Sequence, residues 1–574
     1  MDNQNTPLNS LKNQQFKDNE LKAVHKSLQS NIATATMTAT MEAIKLNPVF
    51  TDLNNSDTIL KHFRHLVKKN ENIPHTEILK QLVEQFEPLD FEAVAFPQVE
   101  SLRQRLDELE ADKESWGGKA SSGKENNPKQ AEREQITKAL DKLKLNIKHY
   151  LVLSIENTLL IAEKNRWGLC KNMEFIYLYN SAFWTYIEKE AFQKFLGEAA
   201  EKMGVAKFTA RFFEFREKLI KQFISTAYLP TPEPPKQAVF INLKNGTFEV
   251  TTKGTKLRQF DRNDFLTYQL PFDYNPEAKA PLFQKYLNEV LPDKERQRVL
   301  AEFLGFVFIK NGNNTVKEEK ALILYGTGAN GKSVFFEIVN ALLGVENVCS
   351  YSLQSLTDTT GYFRAMIANK LVNYASEING NLETSIFKQL VSGEPVEARL
   401  PYGKPMQIKQ YAKLIFNCNE LPKEVEHTNA YFRRFLIIPF DVTIPEHKQD
   451  KQLHTKIIES ELSGVFNWVL EGLNRLLEQK RFSNCEAAKK AVEQYKTQSD
   501  SVKLFIEENG YKASPNSYKV VKDLYTAYRS FCLDDGFKAV NKTNFIKRLQ
   551  SFGITVEKKN VGNVAFLSLE NEHF

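Results

Sequence analysis

Short apolar blocks alternate with polar and glycine-rich stretches through the centre of the chain. Continuous apolar runs of about four to eight residues are typical of buried strands in parallel sheets. We therefore predict strands at residues 321–325, 370–375, 413–416 and 435–439. Behind the first of these, apolar residues recur at helical spacing between residues 334 and 343, so this region predicts an α/β fold.

The pattern differs on the amino-terminal side, where residues 1–149 predict helices in a partly disordered region. Residues 115–130 are rich in Gly, Ser and Lys and predict a flexible linker. Charged helices are expected on either side of the linker, at about 101–113 and 131–148. These two helices could pair as an antiparallel hairpin or lie apart on the surface, and the sequence favours neither arrangement.

Three further domains are predicted behind this region. Residues 150–310 combine strand-like stretches at 175–179, 182–187, 238–243 and 247–251 with helices such as 208–224 and predict a small α+β domain. Residues 311–480 contain the apolar blocks and predict the α/β core. Residues 481–574 predict helices at 503–508, 520–533 and 542–552 followed by two strands at 553–558 and 564–569, an order typical of a winged helix. A chain of 574 residues has room for about four such domains.

Composition places few limits on function. The net charge of +6 and the sequence pI of about 8.7 are mildly basic, which is compatible with a nucleic-acid partner without requiring one. The five cysteines are scattered without a C-x-x-C pair, so neither a zinc site nor a disulfide framework is expected. No signal peptide is recognisable and no apolar run approaches ~18 residues, so we expect a cytoplasmic protein without a membrane partner.

A phosphate-binding motif lies directly behind the first predicted strand. Residues 326–333 read GTGANGKS and fit the pattern G-x-x-x-x-G-K-[ST]. Backbone amides of such a loop cradle phosphates at a helix N-terminus, where negative charge is favoured. We predict ATP as the ligand, with Lys332 on the β- and γ-phosphates and Ser333 on Mg²⁺. The predicted binding residues are Gly326, Thr327, Gly328, Ala329, Asn330, Gly331, Lys332 and Ser333.

ATP hydrolysis needs further polar groups at the same edge of the sheet. Glu377 follows the strand at 370–375 and is predicted to act beside the Mg²⁺ and the attacking water. Asn419 follows the strand at 413–416 and is predicted to touch the γ-phosphate. Asn417 is a close competitor for that role, since one of the two asparagines is enough and the other would cap a turn.

A basic pair precedes the last predicted strand. Positive charge at the γ-phosphate stabilises the transition state of hydrolysis and often comes from a neighbouring subunit as an arginine finger. Arg434 is predicted to supply this charge, with Arg433 as the adjacent candidate. The sequence does not decide which of the two guanidinium groups reaches the phosphate.

The order of these motifs resembles that of the superfamily III helicases of the phage, plasmid and poxvirus primase–helicase type. Residues 321–440 contain the five matching segments, GTGANGKS, LVNYASE, KQLVSGEPVEARLPYGKP, NCNELP and RRFLIIPF. The similarity extends over residues 150–574 and includes a pre-helicase region and a carboxyl-terminal extension. It implies a P-loop, AAA+-like ATPase core and supports the winged helix at the carboxyl end.

The resemblance also implies a ring, usually a hexamer, with ATP sites between subunits. Each site would combine residues of two subunits, Lys332, Ser333, Glu377 and Asn419 from one and Arg434 from the other. A basic hairpin between residues 396 and 408 would project into the channel and grip single-stranded DNA. The implied DNA-contacting residues are Lys404 at the tip, Arg399 and Lys409 close by, and Lys388, which matches a lysine of the family.

These observations predict an ATP-dependent DNA helicase acting on single-stranded and forked DNA during replication of a phage, plasmid or other mobile element. Many relatives carry a primase that needs paired aspartates, but residues 1–150 contain no Asp-x-Asp and only Asp90-Phe91-Glu92 comes near. We therefore expect no primase activity, and a separate primase or polymerase is a candidate partner. Two alternatives stay open: an ATP-switched initiator or loader that binds duplex DNA through residues 542–548, and a protein-remodelling ATPase.

Overall fold

The computed structural model divides the chain into two compact units. One contains the described residues up to Asn165 together with Glu188–Ala227, and the other contains Arg166–Ile187 and the described residues from Tyr228 onward. The described residues are 75–111, 128–230, 232–233, 237–313, 315–376, 378, 382–422 and 426–569. The predicted amino-terminal arm, most of the predicted linker and Glu377 lie outside them, and the four-domain division stays a prediction.

The first unit is helical throughout its described residues. Its helices have the bounds α1 His75–Glu84, α2 Phe91–Ala95, α3 Val99–Ala111, α4 Pro128–Lys142, α5 Ile147–Lys164, α6 Lys189–Lys202, α7 Lys207–Arg211 and α8 Phe213–Thr226. Aromatic rings fill its core, and the ring centres of Phe192 and Phe223 lie 4.6 Å apart. Asp90 caps α2 by accepting hydrogen bonds from the amides of Glu92 and Ala93, so the residue nearest to a primase motif stabilises a helix.

Two helices expected in this unit are each divided, which corrects the prediction. The helix expected at 131–148 is broken before Asn146, whose side chain caps α5 by accepting from a backbone amide. The helix expected at 208–224 is broken at Phe212, whose extended backbone (ψ 133°) separates α7 from α8. The first break spans residues 143–146 and the second a single residue, and an average over a helical window registers neither.

The charged helices α3 and α4 contact each other. Arg105 and Glu132 form an ion pair at 2.9 Å, and so do Arg133 and Glu110. The side chains involved are about half-exposed, so solvent screens each pair and its contribution to stability is small. The pairing alternative is therefore confirmed, and charge complementarity selects which faces of the two helices meet.

The second unit contains the strands. Its first strands have the bounds β1 Gly168–Asn172, β2 Phe175–Tyr179, β3 Trp184–Ile187, β4 Ala238–Leu243, β5 Gly246–Thr251 and β6 Gly254–Arg258. They form two antiparallel sheets in the orders β1-β2-β3 and β4-β5-β6. The apolar strands β2 and β4 match the prediction, whereas β1 and the exposed, polar β6 were not predicted because neither has an apolar alternation.

The apolar blocks of the central region form one parallel sheet. Its strands and the hairpin between them have the bounds β7 Ala321–Tyr325, β8 Val348–Cys349, β9 Val372–Ala375, β10 Val396–Ala398, β11 Met406–Ile408, β12 Lys413–Cys418 and β13 Phe435–Pro439. The sheet order is β13-β7-β12-β9-β8, with every pair parallel. Leu322 on β7 lies opposite Ile415 on one side and Leu436 on the other, and Ile415 lies opposite Tyr374 on β9, so the four predicted strands are neighbours.

Helices surround this sheet. In the second unit they have the bounds α9 Pro281–Val290, α10 Lys294–Phe306, α11 Lys332–Leu343, α12 Leu353–Leu356, α13 Tyr362–Met366, α14 Thr384–Ser392, α15 Asn429–Phe432, α16 Leu453–Gln479, α17 Glu486–Gln498, α18 Ser501–Glu508, α19 Val521–Asp534 and α20 Lys542–Ser551. The long helix α16 packs closely on α10 at Gly305. A Cβ at this position would lie only 2.7 Å from the Cα of Leu473, so the close approach requires glycine. Helix α17, which was not predicted, joins this core to the carboxyl-terminal helices.

The carboxyl-terminal helices pack on small antiparallel sheets. The strands have the bounds β14 Tyr511–Ala513, β15 Lys519–Val520, β16 Val556–Lys559, β17 Gly562–Ala565 and β18 Leu567–Leu569, in the orders β15-β17-β16 and β14-β18. Tyr528 and Phe545 stack at 4.7 Å in the core that joins α19 to α20. The predicted helices and the strands that follow them are present, but β14 and β15 between α18 and α19 were not predicted, and the last predicted strand is divided into β17 and β18. The identification as a winged helix stays a prediction.

Candidate functional site

The glycine-rich loop joins β7 to α11, as its sequence requires. Gly328, Ala329 and Gly331 have positive φ angles of 127°, 49° and 86°. Left-handed residues in such a run turn successive backbone amides toward a common concavity that suits an anion. The Tyr286 hydroxyl donates a hydrogen bond of 2.7 Å to the Gly331 carbonyl, and a Cβ on Gly331 would lie 2.7 Å from Val290. Only glycine therefore fits at the start of α11.

The side chain of Lys332 folds back over this loop. Its buried amine donates to the Gly326 carbonyl at 2.5 Å and to Asn330 Oδ1 at 3.0 Å. Asn330 is itself held, because its amide donates to the Phe440 carbonyl at 3.1 Å. Burial lowers the pKa of Lys332, and nearby Cys418 partly opposes this shift. The amine thus sits among neutral acceptors, where the oxygens of a phosphate would be better partners.

The remaining predicted nucleotide residues are placed at the same edge of the sheet as far as they are described. Ser333 is exposed in the first turn of α11, beside the loop. Asn419 is exposed directly after β12, and the carboxyl ends of parallel strands share one edge. Asn417 is less accessible, because its Oδ1 accepts a hydrogen bond of 3.0 Å from the Tyr374 hydroxyl. The loop, Ser333 and Asn419 therefore lie at the carboxyl edge of the same sheet.

The two adjacent arginines have different surroundings. The Arg434 side chain is only 10% exposed and lies 3.3 Å from the Glu319 carboxylate and 3.1 Å from the Ser392 hydroxyl. The Arg433 side chain is 63% exposed and contacts the same carboxylate at 3.5 Å. Of the two guanidinium groups, that of Arg433 is the one at the surface.

The hairpin formed by β10 and β11 presents an aromatic and two basic side chains to solvent. Tyr402 at its tip is fully exposed with a φ of 58°, and Lys404 and Lys409 are exposed beyond it. Arg399 is held at the base, since its guanidinium packs over the Tyr362 ring at 5.3 Å and donates to the hydroxyl at 2.8 Å. The structure thus leaves Lys404 and Lys409 exposed to solvent and keeps Arg399 half-buried.

Lys388 takes part in an ion pair within the chain. Its amine donates to both carboxylate oxygens of Glu426, at 2.7 and 2.8 Å. The Thr428 hydroxyl donates to the same carboxylate at 2.7 Å and accepts from a backbone amide as the N-cap of α15. Because Arg433 is the C-cap of α15, Lys388 is linked through this short helix to the basic pair.

The segment 542–548, proposed to read duplex DNA, is only partly accessible. Lys542 and Lys547 are exposed on α20. Arg548 instead forms an ion pair of 3.0 Å with Asp500, the residue that caps α18. The arginine of this segment therefore joins two helices of the carboxyl-terminal module.

Sequence reasoning missed three residues of this site. Glu319 forms an ion pair with Arg434, and Glu426 forms one with Lys388. Neither glutamate lies in a motif, and each is distant in sequence from its partner. Tyr402 could have been recognised, because an aromatic residue beside a basic one at a hairpin tip is typical of single-strand binding.

These features define a mixed α/β protein with a phosphate-loop turn at the carboxyl edge of a parallel sheet. Residues 324–434 match the model described as "Family of unknown function (DUF5906)", and residues 148–292 match the model described as "D5 N terminal like". Two viral relatives are "Putative helicase 121R" of Invertebrate iridescent virus 3 and "Putative helicase L207/L206" of Acanthamoeba polyphaga mimivirus. The chain is thus similar to viral proteins named as putative helicases, which supports the resemblance to the phage and viral primase–helicase type that its motifs predict.

The extent of these similarities is limited. The iridescent-virus protein is 22% identical over 361 residues, which cover 54% of this chain and 37% of the relative. The mimivirus protein is 29% identical over 254 residues, which cover 41% and 25%. The match therefore spans about a third of the length of these relatives or less.

Solved structures of one protein are also similar. The apo structure of the NrS-1 C-terminal region is 14% identical with a TM-score of 0.41, and the match covers 72% of this chain and 98% of that chain. Its A form apo structure is 13% identical with a TM-score of 0.37 and the same coverage. Across the described ranges, no helix is both long and apolar enough to cross a bilayer.

Proposed function

We propose that the chain is the motor part of a superfamily III, ATP-dependent DNA helicase that uses ATP and Mg²⁺. The observation that carries this proposal is the loop GTGANGKS between β7 and α11, with the Lys332 amine folded over left-handed backbone. The ordered motifs around it and the similarity to viral proteins named as helicases support DNA unwinding over other uses of ATP. In this proposal the central sheet is an AAA+-like core and the carboxyl-terminal module is a winged helix.

Each nucleotide-site residue has a proposed role. Lys332 binds the β- and γ-phosphates, Ser333 binds Mg²⁺, and Asn419 contacts the γ-phosphate. Glu377, by its sequence position after β9, orients the attacking water. The exposed Arg433 is better placed than the buried Arg434 to reach a nucleotide held by a neighbouring subunit.

The proposed DNA contact is the hairpin. Lys404 and Lys409 neutralise backbone phosphates, and Tyr402 offers a ring on which a base can stack, a combination that grips single strands without reading sequence. Arg399 acts from the base of the hairpin by fixing its orientation against Tyr362. Lys388 reaches DNA only after leaving Glu426.

The proposed assembly is a homo-hexameric ring, because ATP sites completed by Arg433 or Arg434 require a neighbouring copy. Its substrates are single-stranded and forked DNA, and a separate primase or polymerase is the proposed replication partner. The initiator or loader function is less favoured, since Arg548 is engaged by Asp500 within the carboxyl-terminal module.

The decisive experiment is ATP hydrolysis by purified protein with and without single-stranded DNA, with wild type beside Lys404→Ala. We expect DNA to stimulate the wild type and the variant to lose this stimulation while it keeps its basal rate. Hydrolysis that ignores DNA in both proteins would overturn the helicase proposal. Strand displacement on a tailed duplex then separates a helicase from a loader, because a loader hydrolyses ATP without processive unwinding.

A further inference from the structure

A second positively charged cavity lies at the opposite edge of the central sheet from the phosphate loop. It has a volume of about 60 Å³, and its lining includes Lys310, Lys370 and Lys413 but no aspartate or glutamate among the described residues. The amides of Asn311 and Gln410 supply polar atoms to its wall. This volume is larger than the ~10–15 Å³ that one water molecule needs and smaller than the ~150 Å³ of a cavity that admits benzene. A cavity of this size suits a small anion.

The two inner amines have only neutral hydrogen-bond acceptors. Lys413 donates to Asn311 Oδ1 at 2.6 Å and lies 4.3 Å from the centre of the Phe306 ring. Lys310 donates to the Asp264 carbonyl at 3.3 Å. The Asp264 carboxylate is bound by Arg258 at 2.8 Å, and none of the salt bridges between described residues includes Lys310 or Lys413.

Two cations that share a cavity without a carboxylate need an explanation, since buried charges in proteins are normally paired. Burial lowers the pKa of Lys413 to about 7. It also lowers the pKa of Lys310 to about 8, although the Asp264 charge partly opposes this shift. Both amines are therefore destabilised as cations in this surrounding, and a bound anion would restore the favourable interaction that the protein itself does not supply.

We propose that this cavity is a binding site for a phosphate group, held between Lys310 and Lys413. It is separate from the nucleotide loop, because Lys413 begins β12 and Cys418 ends it beside Tyr325. Five residues of strand at about 3.3 Å each place the two sites about 17 Å apart. The failure of either site would therefore leave the other untouched.

The position of the cavity suggests two sources for the phosphate. Gln410 follows the second strand of the basic hairpin, and its Oε1 accepts a hydrogen bond of 3.0 Å from the backbone amide of Asn311. The side-chain Nδ2 of Asn311 donates to the Lys409 carbonyl at 3.2 Å. The cavity wall is thus fastened to the base of the hairpin that carries Lys404. A phosphate of a DNA strand at that hairpin and a free phosphate ion share the chemistry that the two lysines recognise.

The first test measures thermal unfolding of the full chain in phosphate and in chloride at equal ionic strength. The Lys332→Ala background weakens phosphate binding at the nucleotide loop. We expect phosphate to raise Tm by about 2 °C or more over chloride in this background, and Lys310→Met with Lys413→Met to abolish the difference. The charge-matched control Lys448→Met with Lys451→Met, at two exposed positions, should keep it. An equal Tm in the two salts, or an unchanged difference in the double methionine variant, would overturn the site.

A second measurement needs no substitution in the cavity. Acetylation of wild-type protein at about pH 7.5 favours amines of lowered pKa, and mass spectrometry reads the modification of each lysine. We expect phosphate to reduce the labelling of Lys310 and Lys413 several-fold, and Lys448 to stay unaffected. Protection by a short oligo(dT) strand at low concentration would identify a DNA phosphate as the source, and protection by inorganic phosphate alone a free anion. Labelling that is the same in chloride, phosphate and oligo(dT) would contradict the proposal.

Discussion

The Arg434 guanidinium lies 3.3 Å from the Glu319 carboxylate, inside the chain that carries both. It also donates to the Ser392 hydroxyl and the Ala430 carbonyl, so its contacts tie α14 and α15 to the segment before β7. Arg433 meets the same carboxylate from the surface. The two arginines therefore have different roles: Arg434 stabilises the fold of the chain, and Arg433 is accessible at its surface.

We expect Arg434→Ala to lower the free energy of unfolding by about 1–3 kcal/mol, because it leaves the partly buried Glu319 carboxylate without its closest partner. Arg433→Ala should change stability by less than about 0.5 kcal/mol, since its side chain is mostly exposed. Its ATP turnover should nevertheless fall by about 10³-fold if it acts as the arginine finger. Thermal unfolding and ATP hydrolysis of the two variants measure both effects.

Subunit mixing provides the control for this assignment. Arg433→Ala mixed with Lys332→Ala should recover part of the activity, because hybrid interfaces combine an intact loop with an intact finger. Full turnover by Arg433→Ala alone would rule out its role. A folded, inactive Arg434→Ala that recovers on mixing would assign the finger to Arg434 instead.

Lys332→Ala should abolish ATP hydrolysis, with a fall of at least about 10²-fold, while the loop keeps its shape. The loop is secured independently of this amine, since Asn330 remains bonded to the Phe440 carbonyl and Tyr286 to the Gly331 carbonyl. Tm should therefore shift by no more than a few degrees. Nucleotide binding by fluorescence and the hydrolysis rate check the expectation, with Lys448→Ala as an exposed control. Wild-type hydrolysis by Lys332→Ala would rule out the loop as the ATP site.

The central sheet and its loop were predictable because each depends on contiguous residues. An apolar block becomes a buried strand wherever it pairs, and the glycines of the loop set the backbone angles that the motif needs. The position of Asn419 at the carboxyl edge followed from strand direction alone. Helix α17 was missed because the burial of its apolar face depends on partners that the local pattern does not reveal. Strand β6 was missed because its exposed side chains show no apolar alternation and only its pairing with β5 makes it a strand.

Interactions between distant residues account for what the sequence could not predict in the site. Lys388 matched a family lysine, but its pairing with Glu426 requires the fold to bring α14 beside the loop before α15. The choice between Arg433 and Arg434 likewise depends on Glu319, which has no motif of its own. The cavity around Lys413 is a further case, since its residues come from several separate segments.

The Lys388–Glu426 pair predicts a pH-dependent stability. The hydrogen bond from Lys388 lowers the pKa of Glu426 below its ordinary value of 4.5, although desolvation opposes the shift. Folding thus favours the ionised carboxylate, so the pair stabilises at neutral pH and its contribution is lost as the pH falls through the lowered pKa. Glu426→Gln should have a lower Tm than wild type at pH 7, and the difference should shrink as the pH falls below about 4.5.

The control for this prediction is Glu446→Gln, at an exposed position outside the site. Its Tm should follow that of wild type at every pH. A Tm difference between wild type and Glu426→Gln that is equally large at both ends of the pH range would contradict the role of the ion pair. Thermal unfolding over a pH series measures all three proteins.

Substitutions at the hairpin tip distinguish phosphate neutralisation from base stacking in DNA binding. Lys404→Ala should weaken binding to single strands of any sequence and reduce the slope of log K against log salt by about 0.7 for each hairpin engaged, because one fewer phosphate is neutralised. Tyr402→Ala should cost about 1–3 kcal/mol for the base that stacks on its ring and leave the slope unchanged, since a ring carries no charge. Anisotropy titrations of a labelled oligo(dT) over a series of salt concentrations measure both quantities. Equal slopes for Lys404→Ala and wild type would exclude a phosphate contact at the tip, and a reduced slope for Tyr402→Ala would show that its ring does not act by stacking alone.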